Sequence, residues 1–455
     1  MIDFLIVGSG IAGLVSSEIL CDEFKTMVVE AKPSDELGLN NKVLMLESQL
    51  RNLERVGLEV NSIDAYVFDN TQIHDVNGKV IFEYSYPLVI LDLNQVLRSL
   101  LKNAEVDIML GTKATGRIDL KRKEFLRVGV EGRKRESIQT RYLVDASGRY
   151  LYVSRRGMIA QGYRLSKHNI YHFYQSIVSD LGRICVDKSS IHLILSDIHS
   201  PGGFSWCFVR GDKAYIQGFY NSFLSSVSSR MRSLFVKNSL GIVGRLSIVK
   251  KWTVPLGHPI LSPAYERSFF MGSSNMSIYP LFVSGIGHNI VQTMDLSKKL
   301  ARIVGSNNIA DEGYIEYMRH YTKNHIFRGF LNDFLRIMFL ELRTQNIEDL
   351  ATNIFDTVSI ISRTLESTAS LITLAHIAVD ILERVGFTRK VRKIISLLIE
   401  LYKLQSEDVE NFGEIAEKSQ HLNKIYDERI GEIMEPPLKQ RITFKELDRR
   451  LASTP

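Results

Sequence analysis

The sequence predicts an α/β chain: a Rossmann-like domain, an inserted β-rich second domain of α+β character, and a helical C-terminal region. Three observations carry this. The first thirty or so residues read strand, glycine turn, helix, strand. Residues 165–255 are rich in short alternating segments such as Ile191-His192-Leu193-Ile194-Leu195 and Ala214-Tyr215-Ile216-Gln217-Gly218-Phe219. From Tyr314 to Glu432 the pattern is almost wholly helical.

The opening unit is the most specific. Phe4-Leu5-Ile6-Val7 is a short continuous apolar run, as a strand buried on both faces requires. Gly8-Ser9-Gly10-Ile11-Ala12-Gly13 follows, then a helical stretch from Leu14 to Phe24, then Thr26-Met27-Val28-Val29 ending on Glu30. This order is the βαβ dinucleotide fingerprint. Gly8 serves the tight turn, Gly10 lets backbone approach a pyrophosphate, and Gly13 lets helix and strand pack closely. The helix N-terminus offers N–H donors and the positive end of its dipole to phosphates, and Glu30 can accept from the ribose hydroxyls of an adenosine.

Asn41 to Val56 is expected to be helical, because Val43, Leu44, Leu46, Leu50 and Leu53 recur at roughly helical spacing. Strand-like segments follow at Tyr66 to Phe68 and Val80 to Tyr84, then a second helix over Leu91 to Ala104. Lys121 to Thr140 reads as a polar hairpin with Arg133-Lys134-Arg135 at its solvated tip. Tyr142-Leu143-Val144 runs into Asp145-Ala146-Ser147-Gly148, a glycine-containing turn where a nucleotide-binding sheet makes a further nucleotide contact. The nucleotide domain resumes at Phe269-Phe270-Met271-Gly272 and continues into a helix from Ile286 to Val304. The expected boundaries are 1–160 with 256–310 for the nucleotide domain, 161–255 for the second domain, 311–435 for the helical domain and 436–455 for a basic tail.

Composition narrows the class. The chain has 455 residues, 45% of them hydrophobic and 24% charged, the balance of an ordinary globular protein with room for more than one domain. No stretch of eighteen uncharged apolar residues occurs, so no membrane-spanning helix is expected, and the N-terminal strand does not resemble a signal peptide. Cys21, Cys185 and Cys207 have no metal-ligand spacing, no metal site is expected, and they read as core or inert thiols of a reducing compartment. The net charge of +6 is mild; the basic run does not point to nucleic acid. Leu371, Leu374, Ala375, Ala378, Val379 and Leu382 make one apolar helix face, with Arg389, Lys390, Arg392 and Lys393 beyond it. That pattern fits a helix packed on the core, and also a basic element resting on a membrane surface. The expected location is cytoplasmic, with peripheral contact at the inner face of the membrane as the second reading.

Together these pieces resemble the geranylgeranyl reductase family, in particular the archaeal enzymes that saturate isoprenoid lipid chains, within the wider FAD-containing hydroxylase-like superfamily. The resemblance covers almost the whole chain and rests on four places: Gly8 to Gly13 with Glu30; Asp145-Ala146-Ser147-Gly148-Arg149 with Arg155-Arg156; Ser200-Pro201-Gly202-Gly203-Phe204-Ser205-Trp206-Cys207-Phe208, similar to the family's PxxYxWxFP; and Gly272 followed by Pro280 and Gly285-Ile286-Gly287, similar to its second FAD motif. It implies FAD held by Gly8, Gly10, Ile11, Ala12, Gly13, Glu30, Ala31, Asp145, Ala146, Gly148, Gly272, Ser273, Gly285, Ile286 and Gly287. It also implies a lipid cavity lined by Pro201, Phe204, Trp206 and Phe208, an isoprenoid lipid as substrate, and either ferredoxin or NAD(P)H as electron donor. Phe204, Trp206 and Phe208 alternate and so share one face of a strand, which suits an apolar tunnel and equally the inward face of a sheet.

The chain also departs from the family. Ser273 stands where the family has an aspartate, Val283 and Ser284 replace two glycines, and the segment Gly38-Leu39-Asn40-Asn41-Lys42 lacks the family's flavin-proximal cysteine. These changes fall on the isoalloxazine side and leave the adenosine side intact. Polar groups expected near the ring are Ser273, Asn275, Ser284, His288 and Asn41; His288 is the one that titrates near neutrality and is the candidate proton donor. A paralog that binds FAD or a prenyl lipid without turnover, and a flavin monooxygenase, are the competing functions.

Overall fold

The computed structural model describes residues 1–326 apart from 39–40, 61–62, 86, 120–124, 161–162, 164–168, 183, 195–198, 201, 222–226, 258–259, 261, 277–284 and 307–310, with residues 329, 417, 421 and 424 beyond. Pro201, Pro280, Val283, Ser284, the apolar face from Leu371, the basic group from Arg389 and the tail from 436 lie outside the described residues.

The first sheet grows from β1 (Ile2–Val7), parallel on one side to β2 (Thr26–Val29) and on the other to β11 (Arg135–Asp145). β8 (Asp107–Met109) continues it beyond β2, and β18 (Ser268–Phe270) and β17 (Ala264–Tyr265) beyond β11. Phe4, Leu5 and Ile6 are fully buried, which explains the unbroken apolar run: a central parallel strand is covered on both faces. Phe4 and Ile6 pack with Val28, Leu296 and Leu300, whereas Leu5 and Val7 pack with Leu143, Met158 and Phe270. On the first of these faces, α1 (Ile11–Cys21) lies against α6 (Gly285–Gly305), with Ser297 Oγ bonded to Ser16 Oγ at 3.1 Å.

β9 (Lys113–Asp119) and β10 (Leu126–Glu131) form an antiparallel meander onto the N-terminal half of β11. Arg133 and Lys134 are exposed at its tip, as the charge run predicts.

The second sheet has seven strands in the order β16 (Arg245–Pro255), β12 (Ile170–Ser179), β15 (Lys213–Asn221), β14 (Ser205–Arg210), β13 (Ser190–Ile194), β5 (Asn70–His74) and β6 (Val80–Tyr84). Two of its strands therefore come from residues 70–84, ahead of the segment 161–255 that supplies the other five. The parallel pairing of β5 with β13 makes this graft, and nothing in the local pattern of 70–84 announces its partner.

Residues 41–56 correct a sequence expectation. They are not one helix but β3 (Lys42–Leu46), a 3-10 turn over Glu47–Gln49 and the short α2 (Leu50–Glu54). β3 pairs along its whole length with β7 (Leu88–Asp92), and β4 (Ala65–Phe68) completes this small sheet. Leu44 and Leu46 face the aromatic residues of the second sheet, while Met45 faces Leu53, Leu91 and Val96. A strand buried on both sides carries apolar residues at every position, and over five residues that run cannot be told from a helix. α3 (Leu93–Asn103) begins two residues later than expected, because Asp92 ends β7 and caps the helix by accepting from Asn94 N at 2.9 Å.

Three helices complete the described set. α4 (Ser154–Ala160) follows the turn after β11, α5 (Ser229–Ser239) lies on the second sheet, and α7 (Asp311–Tyr321) packs on α6. A π-helical turn, Thr322–Ile326, extends α7. No described helix is long and apolar enough to cross a membrane. Cys207 is buried, and burial pushes its thiol up; Cys21 is half-buried and Cys185 exposed.

A buried histidine pair gives the second sheet a pH dependence. His74 Nε2 and His192 Nδ1 are 3.0 Å apart, while His74 Nδ1 faces Gly78 O at 2.9 Å and His192 Nε2 faces Asp187 O at 2.7 Å. Two neutral rings bring two protons to three contacts. A third proton would fill the gap between them, but desolvation opposes it: burial pushes His192 down to about 4 and lowers His74 as well. Unfolded histidines titrate near 6.5, so between about pH 6.5 and 4 the unfolded chain binds more protons and stability falls as pH drops. The full effect of His192 is about 3 kcal/mol. Urea unfolding between pH 7.5 and 4.5 should show this loss, and His192→Gln should flatten it. Stability that rises on acidification would instead mean that the pair holds the third proton.

Candidate functional site

Three glycine turns meet at the carboxyl ends of β1 and β11. Gly8, at φ +103°, leaves β1 with its N–H on Val29 O at 2.8 Å; a Cβ there would stand 2.5 Å from Ala146 O. A Cβ on Gly13 would stand 1.8 Å from Gly8 O, so helix α1 comes down on the turn as closely as backbone allows. Gly272, at φ +62°, opens a 3-10 turn (Gly272–Asn275) in which a Cβ would meet Ala12 Cβ at 2.6 Å. Gly148, also at φ +62°, donates its N–H to Ser274 Oγ at 2.9 Å and ties the second turn to the third.

Gly10 differs from these. Its φ is −67°, it is exposed, and a Cβ on it would meet nothing within 4 Å. It caps α1 with no side-chain hydrogen bond, so the first N–H groups of the helix, from Ile11 and Ala12, keep the free-donor character of a helix start. Open space beside an uncapped helix N-terminus is the shape an anionic phosphate group fills.

Glu30 lies at the end of β2, where the fingerprint puts it. Its Oε2 accepts from Ser9 N at 2.8 Å and Ser9 Oγ at 3.1 Å, and its Oε1 accepts from Lys32 N at 2.9 Å. A carboxylate has about four acceptor directions, so one is left for a ribose hydroxyl. Ala31 beside it is exposed. Lys32, Arg149 and Lys250 gather near Glu30 and Tyr150; burial first, then the neighbouring cations, lower Lys250. This positive rim suits an anionic ligand.

Asp145 has a different part from the direct cofactor contact expected of it. It is fully buried and takes five donors: Ser147 N (3.1 Å), Ser147 Oγ (2.6 Å) and Ser274 Oγ (3.2 Å) on Oδ1, Val153 N (2.7 Å) and Ser154 N (2.8 Å) on Oδ2. Its acceptor capacity is spent on its own chain, so it shapes the turn from Ala146 to Ser154 and starts α4. Ser273, on the third turn, is half-buried, while Asn275 is buried and bonded to Gln292 Oε1 on α6 at 3.2 Å. α6 starts at Gly285; Ile286 packs with Ile11 on one apolar cluster, and a Cβ on Gly287 would stand 2.7 Å from Gln49 Cβ. Asn41 donates its N–H to Gly38 O at 3.1 Å, at the entrance to β3. His288 has its ring 6.5 Å from that of His325, on the side of α6 that meets the π turn.

The aromatic residues of 200–208 do share a face, and it is packed. Phe204 meets Phe219 edge-on at 4.7 Å, Phe208 stacks on Tyr215 at 4.9 Å, and all belong to one cluster with Leu44, Leu46, Phe68, Leu88 and Ile90. They fill the seam between the second sheet and the small sheet, the inward-face alternative. Sequence reasoning missed what fixes that seam. Trp206 Nε1 donates to Gln217 Oε1 at 2.7 Å, Gln217 Nε2 donates to Lys42 O at 2.8 Å and also to Gln175 Oε1, and Lys42 N donates to Gln175 Oε1 at 3.1 Å. Two buried glutamines thus hold both backbone groups of the first residue of β3. The amides lie more than forty residues apart in sequence in every case but one, so no local signal reveals them.

No protein-family model matches the chain, and no curated protein matches it in sequence. Solved structures do. A geranylgeranyl bacteriochlorophyll reductase-like protein from Thermoplasma acidophilum superposes with a TM-score of 0.65 at 17% identity, covering 88% of this chain and 99% of that one. A probable FAD-dependent monooxygenase from Pseudomonas aeruginosa, PqsL, gives 0.56 at 15% identity over 78% and 99%. A triple mutant of the flavin-dependent brominase Bmp2 gives 0.61 at 13% identity over 84% and 100%. The chain shares the Rossmann-like α/β fold of these structures. Within that fold, the glycine turns stand at the strand ends where a doubly wound sheet receives its ligand.

Proposed function

We propose that this chain is an FAD-dependent oxidoreductase that reduces carbon–carbon double bonds of an isoprenoid lipid chain. The observation that carries the cofactor is the cradle at Gly10: a Cβ-free opening beside an uncapped helix start, with Glu30 retaining one acceptor direction and a cationic rim at Lys32, Arg149 and Lys250. Gly10 and the first amides of α1 would hold the pyrophosphate, Glu30 the ribose, and the turns at Gly148 and Gly272 the path between. When bound, FAD supplies a two-electron carrier that a reduced donor, ferredoxin or NAD(P)H, can recharge. The protein's share is to bind, orient the alkene and keep water out.

The isoprenoid specificity is supported by the likeness of the 200–208 segment to the family's motif and by the fold likeness to a reductase-like protein over nearly the full length of both chains. Peripheral contact with the membrane that carries the lipid belongs to the same proposal. Ser273 and the missing cysteine in 38–42 favour one alternative, a subunit that binds without turnover.

One preparation separates these. The purified chain is expected to be yellow, and after anaerobic reduction a geranylgeranyl lipid should reoxidise its flavin with saturation of the lipid. A colourless chain that takes up no added FAD overturns the cofactor assignment. A yellow chain inert to every alkene lipid favours the binding subunit, and NAD(P)H-driven oxygen insertion into a ring substrate favours a monooxygenase.

A further inference from the structure

The geometry points to a divalent transition-metal site formed by Asp295, His320 and His325, where α7 and its π turn meet α6. His320 Nε2 lies 2.7 Å and His325 Nε2 2.6 Å from the same oxygen, Asp295 Oδ2. The three ligand atoms are all within 4.8 Å of one another, the one such group among the described residues. Around a zinc-sized ion with bonds near 2.1 Å, neighbouring ligand atoms stand about 3.4 Å apart, so a small spreading of the three side chains admits the ion. Two imidazoles and a carboxylate are the ligand types that zinc and its neighbours prefer over calcium or magnesium.

The backbone is bent to make this cluster. His320 and His325 are five residues apart, which on an α-helix places them about 140° apart around the axis. The π turn at Thr322–Ile326, with its i→i+5 bonding, brings positions five apart onto one side, and π turns recur at functional sites. Asn324, in the same turn, has its amide nitrogen 3.2 Å from His320 Nδ1 and 3.4 Å from Nε2. Turning the amide over, which exchanges its oxygen and nitrogen, lets Oδ1 accept the Nδ1–H and leaves Nε2 as the ligand atom, the outer support that metal-binding histidines use. His325 is buried, with 6% of its side chain exposed, whereas Asp295 and His320 keep solvent access that supplies an entry path and a water ligand. His288 lies on the same side, its ring 6.5 Å from His325.

The ion would pin α7 and its π turn to α6. This assignment is independent of the flavin proposal, since none of its ligands belongs to the cradle. The test uses the full chain without an affinity tag, stripped with EDTA and dialysed. Titration with Zn2+ should show one equivalent bound and a melting temperature raised by several degrees. Co2+ should give ligand-field absorption in a difference spectrum. His325→Asn should weaken binding at least about a hundredfold and abolish the Co2+ bands, and the milder, exposed Asn324→Ala should weaken it about tenfold while the chain stays folded. Wild-type protein that binds less than a tenth of an equivalent and melts identically with and without Zn2+ overturns the site. So does uptake unchanged in both variants.

Discussion

Gly10→Glu is expected to leave a folded chain that retains no FAD. The backbone of Gly10 is in a region open to any L-residue, and a Cβ there meets nothing within 4 Å, so the substitution does not strain the cofactor-free protein. Its stability without cofactor should stay within about 0.5 kcal/mol of the parent. The new carboxylate, however, stands where the proposed pyrophosphate lies, and juxtaposed like charges cost several kcal/mol. Flavin retention after gel filtration, read at its visible absorption, should fall at least about a hundredfold in affinity terms, near 3 kcal/mol. Gly13→Val is the contrast. Its Cβ falls 1.8 Å from Gly8 O, so that variant should lose the fold around the turn as well as the cofactor. Unchanged flavin content in Gly10→Glu would move the pyrophosphate elsewhere.

Asp145→Ala should destabilise the chain by about 4 kcal/mol or more, measured by urea unfolding in the absence of cofactor. Five donors converge on this buried carboxylate, and its removal strands the N–H groups of Val153 and Ser154 at the start of α4 and of Ser147 in the turn. Each buried donor left without an acceptor costs about 1–3 kcal/mol, partly recovered where water enters. Asp145→Asn should be intermediate, since its amide N–H2 faces N–H donors that an oxygen now satisfies. A loss under about 1 kcal/mol would return Asp145 to the role of a cofactor contact with dispensable internal bonds.

The glycine fingerprint was legible because its chemistry is local. Gly8 and Gly13 are required by atoms of the turn itself or of the strand immediately beside it, Gly10 leaves the opening at the helix start, and spacing encodes that directly. The strand at Ile191 and the hairpin around Arg133 were legible for the same reason: alternation is a property of neighbours. Residues 42–46 were misread because their apolar run is set by two packed faces, Leu44 and Leu46 toward the second sheet and Met45 toward α3, which no window of sequence contains. Asp145 is legible as the end of its strand, but its five donors are not, because they come from the following turn and from Ser274 far along the chain.

From sequence follow the α/β class, the βαβ unit, the glycine turns at Gly8 and Gly13 and the place of Glu30, all of them consequences of periodicity and of local spacing. Tertiary structure alone decided the rest. It grafted residues 70–84 onto the second sheet, buried the Phe204–Phe208 face in the seam, and clamped Lys42 between Gln175 and Gln217. It also brought His320 and His325 to Asp295 through a π turn that helical spacing does not announce. The physical reason is the same in each case: side-chain hydrogen bonds and packed faces join residues by proximity in space, and their free energy depends on partners that the chain reaches only after it has folded.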